Sequence, residues 1–295
     1  MAIPEAQLET WSHQGPTPQF TSTYDAIRTV LWDANSPYAA RSFNVFLQGS
    51  YKNDTNVYGD SDVDIVICTD SVYYADTSNF SPEDKQRYQA GWGRAEYQLS
   101  DFKNDVVRWL TQKYPNAVTP GNKAVFIKGN AGRRDADVVI AAEFRRYYTF
   151  PATGQPSYET GICFFTSNGT EIQNFPKQHS DSCTSKNQSS PWFKRTVRTY
   201  KNLRNKMIAD GLIADSLAPS YFIEGLLYNV PIDRFGGSYS ANFNDTLNWL
   251  VQADRSQFTC ANGLFYLCHP TSPVTWRAEN CSAFLNACVN KRDNW

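Results

Sequence analysis

Twice in this chain, two aspartates separated by one residue stand directly before an unbroken apolar run. The two segments are SDVDIVI, residues 61–67, and DADVVIA, residues 135–141. Alternate side chains of a strand share a face, so Asp62 and Asp64 point to one side of their strand, as Asp135 and Asp137 do on theirs. Burying unpaired carboxylates together is costly. The acids therefore lie at a hydrated strand end, which is their usual place, or they hold a cation.

The type and number of these side chains favour a cation site. Mg²⁺ prefers carboxylate oxygens and keeps several of its waters, and Mn²⁺ accepts similar ligands. Asp62 and Asp64, joined by a third carboxylate from a neighbouring strand, can hold two such ions about 3.5–4 Å apart. That spacing stabilises the attacking and the leaving oxygen in phosphoryl transfer. Asp135 and Asp137 are the candidates for the third ligand.

A Gly-Ser pair precedes the first aspartate segment. The alternation in SFNVFLQ, residues 42–48, predicts a strand that ends at Gly49-Ser50, before a polar loop and the DVDIVIC strand. Backbone amides and a hydroxyl in such a turn can bind a triphosphate. The GxxxxGK[ST] pattern is absent, so this is not a Walker loop.

Periodicity and turn residues predict an α+β chain in which one helix, a mixed sheet and a mostly helical second half follow one another. A hairpin is expected at Asn168-Gly169. The polar stretch 179–190 is interpreted as a loop between two lobes. The expected helices are 22–35, 81–114 with a break at Gly91 and Gly93, one that starts at Pro191, and 219–229, 243–253 and 277–290.

Composition narrows the function classes. Lys plus Arg number 28 and Asp plus Glu number 29, a balance that argues against a dedicated nucleic-acid coat protein. No apolar run approaches the ~18 residues of a membrane span, and the N-terminus has no signal-peptide pattern. Seven scattered cysteines indicate a reducing cytosol. Cys260, Cys268, His269 and Cys281 are a candidate zinc set, but their spacing matches no standard module, and ordinary cysteines are the competing interpretation.

Two further groups can contact a nucleotide. On the helix from Pro191, Lys194, Arg198 and Lys201 form one basic stripe, which is either a solvated face or a surface for a triphosphate. In IQNFPKQH, the side chains of Asn174, Lys177 and His179 can face a base, so purines and pyrimidines both remain open.

The segments LQGSYKNDTNV, SDVDIVI and DADVVIA resemble the polymerase-β-like nucleotidyltransferase superfamily. More narrowly, NFPKQHS, WFKRTVRTYKNLRN and PSYFIEGLLYN resemble the bacterial CD-NTases, which are relatives of animal cyclic GMP-AMP synthase and oligoadenylate synthase. The resemblance covers roughly residues 22–290. It implies a two-lobed α+β fold with a mixed-sheet catalytic core and N-terminal helix in residues 1–185 and a helical, oligoadenylate-synthase-like lobe in residues 186–295.

The resemblance also implies roles for matching residues. Asp62, Asp64 and Asp137 are expected to be catalytic and to bind two Mg²⁺ ions, with Asp135 outside that set. The expected nucleotide-binding residues are Gln48, Gly49 and Ser50 for the donor triphosphate, Lys201 and Ser220 for phosphates, and Tyr221 for stacking on a base.

The activity implied is the joining of nucleoside triphosphates, with ATP and GTP expected, into a cyclic di- or trinucleotide with release of pyrophosphate. By the same resemblance, the product activates a separate effector in anti-phage (CBASS) signalling. The protein is expected to be a cytoplasmic monomer that needs neither membrane nor nucleic acid. The alternatives are a template-independent polymerase or transferase, and a nucleotide-binding pseudo-enzyme.

Overall fold

The computed structural model describes residues 2–15, 17–58, 62–91, 93 and 95–295. The chain divides into two compact units. The sheet unit comprises Thr17–Gln48 and Ser61–Phe175, and the helical unit comprises Met1–Pro16, Gly49–Asp60 and Pro176–Trp295. This division differs from the expected boundary after residue 185. A single boundary along the sequence cannot represent units whose segments alternate along the chain.

The sheet unit contains the aspartate segments. Over the described residues, its strands are β1 (Phe43–Leu47), β2 (Val63–Asp76), β3 (Val118–Pro120), β4 (Val125–Ile127), β5 (Ala136–Thr149), β6 (Ser157–Phe165) and β7 (Glu171–Asn174). Its helices are α2 (Pro18–Leu31), α4 (Pro82–Gly91) and α5 (Leu99–Lys113). The helical unit begins with α1 (Glu5–Ser12) and includes α3 (Gly49–Lys52).

The strands form one mixed sheet in the order β1-β2-β5-β4-β3, with β6 on the far half of β5 and β7 beside β6. The β2–β5 pair is parallel, and the other pairs are antiparallel. Val63, Ile65, Val66 and Ile67 of β2 are all buried, as a continuous apolar run requires of a strand covered on both faces. The α+β class and the mixed sheet expected from the sequence are confirmed.

Helices α2 and α5 cover the sheet with apolar faces. Ile27 and Leu31 of α2 are fully buried, and so are Phe102, Val106 and Leu110 of α5. These positions recur every three to four residues, which is the period of a helix packed on one side. The expected hairpin is confirmed, because β6 and β7 pair on either side of Asn168-Gly169.

The rest of the helical unit is built on a long central helix. Its later helices are α6 (Pro176–Ser189), α7 (Trp192–Ala209), α8 (Ser220–Tyr228), α9 (Tyr239–Gln252) and α10 (Ala278–Asp293). Phe193, Tyr200 and Leu203 of α7 are buried in one apolar cluster with residues of α8, α9 and α10. The N-terminal helix α1 adds Leu8 to this cluster.

The stretch 179–190 is not the expected interlobe loop, and that prediction was wrong. These residues lie mostly in α6, whose side chains are almost all polar. The helix nevertheless buries His179, Ser180 and Cys183. The polar composition of this segment therefore gave a wrong prediction, because buried polar contacts, rather than an apolar stripe, fix the helix in the helical unit.

The break near Gly91 and Gly93 is confirmed, since α4 ends at Gly91 and α5 begins at Leu99. Residues 92 and 94 in this break, and residues 59–61 of the loop before Asp62, lie outside the described residues. Within the described ranges, no helix combines the length and the apolar character that crossing a bilayer requires.

Candidate active site

The two aspartate segments meet at one end of the parallel β2–β5 pair. Asp64 is the register neighbour of Asp137, and Val63 is that of Ala136. The backbone N–H of Val63 donates to the carbonyl of Asp135 at 3.0 Å, so the pairing continues to the strand ends. Side chains of register neighbours leave the sheet on the same face. The sheet therefore directs Asp64 and Asp137 to the same side, as the sequence indicated.

The environment of these acids disfavours negative charge at Asp137. Burial raises the pKa of its carboxyl above the ordinary value, and the charges of Asp62 and Asp135 raise it further. The side chains of Asp62, Asp64 and Asp137 are all half-buried, and Asp64 and Asp137 each lie between two fully buried apolar neighbours. Like charges gathered at partly desolvated positions raise the free energy of the folded protein unless a cation joins them.

Asp135 has a different place. Its Oδ1 accepts a hydrogen bond of 2.6 Å from the backbone N–H of Gly129, in the turn between β4 and β5. The Asp135 carboxylate thus stabilises this turn, which is consistent with the expectation that Asp135 is not a metal ligand.

Divalent cations fit the remaining three side chains. Asp62, Asp64 and Asp137 offer only carboxylate oxygens, the donor type that Mg²⁺ prefers. Burial, and after it the charges of Asp62 and Asp135, raise the pKa of Asp137, and a bound cation would favour the charged form of this carboxylate.

The Gly-Ser pair follows β1 and opens the short helix α3. Gly49 has φ = 71°, in the left-handed region where a side chain is strained, so glycine suits this position. Immediately before it, the backbone N–H of Gln48 donates to the carbonyl of Asp64 at 3.0 Å. Over the described residues, the buried side-chain Oε1 of Gln48 has no hydrogen-bond partner.

The basic stripe of α7 is not a solvated face. Lys194 Nζ donates to Asp54 Oδ2 at 2.9 Å. Arg198 Nη1 donates to the carbonyl of Asp54 at 2.6 Å, and burial lowers its pKa to about 10. Lys201 is fully buried, and its Nζ donates to the carbonyl of Thr55 at 2.9 Å. All three cations thus contact residues 54–55.

The other expected phosphate and base contacts lie on α8. Ser220 begins this helix and accepts a hydrogen bond of 3.1 Å from Arg204 Nη1. Tyr221 is half-buried; one face of its ring stacks on His179 with 4.6 Å between centroids, and its hydroxyl accepts from Asn262 Nδ2 at 3.0 Å. Tyr221 is thus fixed at both its ring face and its hydroxyl.

The three residues that could contact a nucleotide base, Asn174, Lys177 and His179, differ in burial and in hydrogen-bond partners. His179 is buried, and its Nε2 lies 2.6 Å from Glu224 Oε2. Lys177 is exposed and pairs with Asp181 at 2.7 Å. Asn174 is half-buried at the end of β7, where its Oδ1 accepts from the N–H of Phe175 at 2.9 Å.

Sequence reasoning missed Glu224, which is 2% exposed in α8. The signal was available in SYFIEGLLYN, residues 220–229, where a single acid interrupts a strongly apolar helix. A carboxylate on the buried side of a helix needs partners, and its presence predicts a polar network.

Over the described residues, the candidate zinc set does not bring three ligand atoms close together, although the thiols of Cys268 and Cys281 are hydrogen-bond partners. Cys260 and Cys281 are buried, Cys268 is half-buried, and His269 Nδ1 accepts from the backbone N–H of Thr271 at 3.3 Å. In the described part of the chain, a group of three such atoms within 4.8 Å of one another is formed by His179, Cys183 and Glu224.

The sheet, its paired aspartates and the helical unit define a nucleotidyltransferase of the polymerase-β-like class. Residues 181–292 match the family model described as the cGAS/DncV-like nucleotidyltransferase C-terminal helical domain. The chain is 39% identical to the cyclic UMP-AMP synthase of Rhodothermus marinus (strain SG0.5JP17-172), over 97% of this chain and 96% of that protein. The chain therefore belongs to the bacterial CD-NTases, the family of cyclic nucleotide synthases.

Solved structures agree. The structure of Rhodothermus marinus CdnE c-UMP-AMP synthase with Apcpp and Upnpp superposes with a TM-score of 0.87 at 37% identity, covering 99% of this chain and 97% of that one. The CdnE cyclic dinucleotide synthase of Elizabethkingia meningoseptica with GTP and Apcpp gives a TM-score of 0.78 at 30% identity, covering 98% of each chain.

Proposed function

We propose that this protein joins two nucleoside triphosphates into a cyclic dinucleotide and releases two pyrophosphates. The observation that carries the proposal is the register of β2 against β5, which pairs Asp64 with Asp137 at the strand ends. Membership of the cyclic nucleotide synthases supports the class of product.

In each of two steps, a ribose hydroxyl of one nucleotide attacks the α-phosphorus of the other. A new P–O bond forms, the bond from the α-phosphorus to the bridging oxygen breaks, and pyrophosphate leaves. We assign to the Asp137 carboxylate the acceptance of the hydroxyl proton. Its place beside Asp64 in the register of the two strands puts it at the end of the sheet where we assign the reaction.

Asp62, Asp64 and Asp137 are the residues we assign to two Mg²⁺ ions, with Mn²⁺ as an alternative. When bound, such ions would neutralise the negative charge that develops on the phosphate oxygens. The protein contributes Asp64 and Asp137 from two paired strands, which fixes their positions before substrate arrives, and Asp62 from the residue just before β2.

The donor triphosphate is assigned to Gln48, Gly49 and Ser50. Phosphate oxygens accept hydrogen bonds, so the side-chain NH₂ of Gln48, and not its Oε1, is the group that can contact them. Ser220 and Lys201 remain the proposed residues for phosphates, and Tyr221 remains a proposed stacking partner. Because Lys201 is fully buried on the Thr55 carbonyl, its ammonium would act on a phosphate through its charge. His179 covers one face of the Tyr221 ring, so a base would have to stack on the opposite face.

We propose a uracil-containing product, because the more similar of the two relatives is a cyclic UMP-AMP synthase. The Elizabethkingia relative, 34% identical, is a cyclic dipurine nucleotide synthase, so ATP with GTP is the competing pair. The cytoplasm, which supplies nucleoside triphosphates, is the proposed location. Release of the product to an anti-phage effector is the proposed use.

The test incubates purified protein with ATP, GTP, UTP and CTP, each labelled in turn, and Mg²⁺. Mass spectrometry and linkage-specific nucleases then identify the product. A phosphatase-resistant species with two phosphodiester links supports the proposal. Long linear chains would identify a template-independent polymerase, and bound but unreacted triphosphate would identify a pseudo-enzyme.

A further inference from the structure

In a short polar segment of the helical unit, residues 53–56, every residue except the exposed Asp54 is buried. Asn53 is 3% exposed, and Thr55 and Asn56 are fully buried. Loops usually run over the surface, because buried backbone and polar side chains need partners. A buried polar loop next to a ligand-binding turn therefore requires a specific set of hydrogen bonds.

This segment folds back on the Gly-Ser turn. The backbone N–H of Asn53 donates to the carbonyl of Gly49 at 3.2 Å, and that of Thr55 donates to the carbonyl of Ser50 at 2.9 Å. The positions of Gly49 and Ser50 are thus tied to the positions of Asn53 and Thr55.

Glu224 accepts hydrogen bonds from the side chains of the same two residues, Asn53 and Thr55. Its Oε1 accepts from the hydroxyl of Thr55, and its Oε2 accepts from Asn53 Nδ2 at 2.9 Å. His179 Nε2 lies 2.6 Å from Oε2 and makes a third contact. Both carboxylate oxygens are therefore used, in a place that water does not reach.

The charge of Glu224 is stabilised despite its burial. Burial acts to raise its pKa, but the hydrogen bond and charge of His179, the Lys201 ammonium and the Thr55 hydroxyl together hold the pKa below its ordinary value. Charge-assisted hydrogen bonds of this kind are stronger than neutral ones. The carboxylate is thus an anionic acceptor for the segment.

A metal at His179, Cys183 and Glu224 is the competing interpretation. Two ligand atoms about 2.1 Å from one tetrahedral ion lie more than about 3 Å apart. The 2.6 Å between His179 Nε2 and Glu224 Oε2 is instead a hydrogen-bond distance. The donors from Asn53 and Thr55 also occupy the carboxylate that a metal would need.

We propose that Glu224 is a positioning residue for nucleotide binding, which holds the Gly49-Ser50 turn in shape through Asn53 and Thr55. It does not touch the reacting atoms. The proposal rests on the proposed function of the turn as the donor-triphosphate site. The cations of α7 on residues 54–55 brace the same segment from a second helix.

The test compares Glu224→Gln with Glu224→Leu. Glutamine can keep the network, because its amide oxygen can accept from Asn53 and His179 while its NH₂ donates to the Thr55 hydroxyl. Leucine leaves all these groups without a partner. Thr55→Val removes the hydroxyl that contacts Glu224 and, at 3.4 Å, the carbonyl of Ser50, with little change of shape, and is the variant of choice if Glu224→Leu does not fold. Glu279→Gln, at an exposed acid of α10, is the matched control.

Two quantities are measured below the melting temperature of each variant: the Kd of a non-hydrolysable ATP analogue, and KM and kcat for product formation. We expect Glu224→Leu and Thr55→Val to weaken analogue binding about tenfold or more, as loss of a hydrogen bond to a charged group predicts. KM should rise more than kcat falls. Glu224→Gln should stay within about threefold of the wild type.

Unchanged Kd and KM in folded Glu224→Leu or Thr55→Val would overturn the proposal while leaving the proposed function intact. A wild type that binds the analogue but makes no product would instead overturn the function, and the Kd comparison would still decide the role of Glu224. One equivalent of zinc in the purified protein, lost in Cys183→Ser, would replace the hydrogen-bond network with a metal site.

Discussion

Asp137→Asn should stabilise the protein in the absence of divalent cations. The carboxylate of Asp137 is half-buried, and burial and the charges of Asp62 and Asp135 raise its pKa. A like charge on a neighbouring strand, roughly 5–7 Å away, contributes on the order of 1 kcal/mol of repulsion when solvent screens it. Removing the charge should raise the melting temperature in EDTA by about 2 °C.

The pH dependence of this gain follows from the sign of the shift. A carboxyl whose folded pKa lies above its unfolded value of 3.8 destabilises the folded state as pH rises through that folded pKa. The advantage of Asp137→Asn should therefore be absent at the lowest pH, grow as pH rises above 3.8, and be constant at neutral pH.

The assay is thermal unfolding in EDTA and in Mg²⁺, with Asp70→Asn, an exposed acid of β2, as control. In Mg²⁺ the order should reverse, because an ion that binds only the folded wild type stabilises it. An Asp137→Asn protein that melts below the wild type in EDTA at neutral pH would refute this account of the aspartates.

Other expectations concern the nucleotide. Gly49→Ala places a side chain at φ = 71°, which costs about 1–2 kcal/mol of folding free energy. The variant should therefore melt a few degrees lower and bind triphosphate more weakly. One thermal-shift series, with and without triphosphate, measures both effects. Ser220→Ala and Lys201→Ala should raise KM without changing the product seen by mass spectrometry; altered base preference at unchanged KM would contradict their assignment to phosphates. Nuclease-treated protein should make as much product as protein with added duplex at low salt, and stimulation that fades as salt rises would reveal a nucleic-acid surface.

The parts of the fold that follow from local patterns could be predicted from the sequence. The apolar runs after Asp62 and Asp135 predicted β2 and β5. Because the two aspartates of each segment share one face of their strand, the sequence also predicted that Asp64 and Asp137 would point to the same side of the sheet. The face that each aspartate takes depends on strand period, which the sequence displays directly. The parallel pairing of β2 with β5, which brings Asp64 beside Asp137, does not follow from that period.

The parts that depend on buried polar contacts could not be predicted. The helix α6 has too few apolar side chains to show a helical stripe, and its buried His179 finds its partner 45 residues further along the chain. Lys201 has the spacing of an exposed basic stripe, yet it is fully buried, because the segment at residues 54–55 supplies its partner. Pairings so distant in sequence leave no periodic pattern.

Synthesis of a cyclic product that depends on the paired aspartates is the most direct test of the central claim. Wild type, Asp64→Asn and the surface control Asp70→Asn are incubated with labelled triphosphates and Mg²⁺, treated with phosphatase, and compared for resistant product and released pyrophosphate. Wild type and Asp70→Asn should yield a cyclic dinucleotide, and Asp64→Asn should yield none while retaining its fold. Full synthesis by Asp64→Asn would contradict the assignment of catalysis to this end of the sheet.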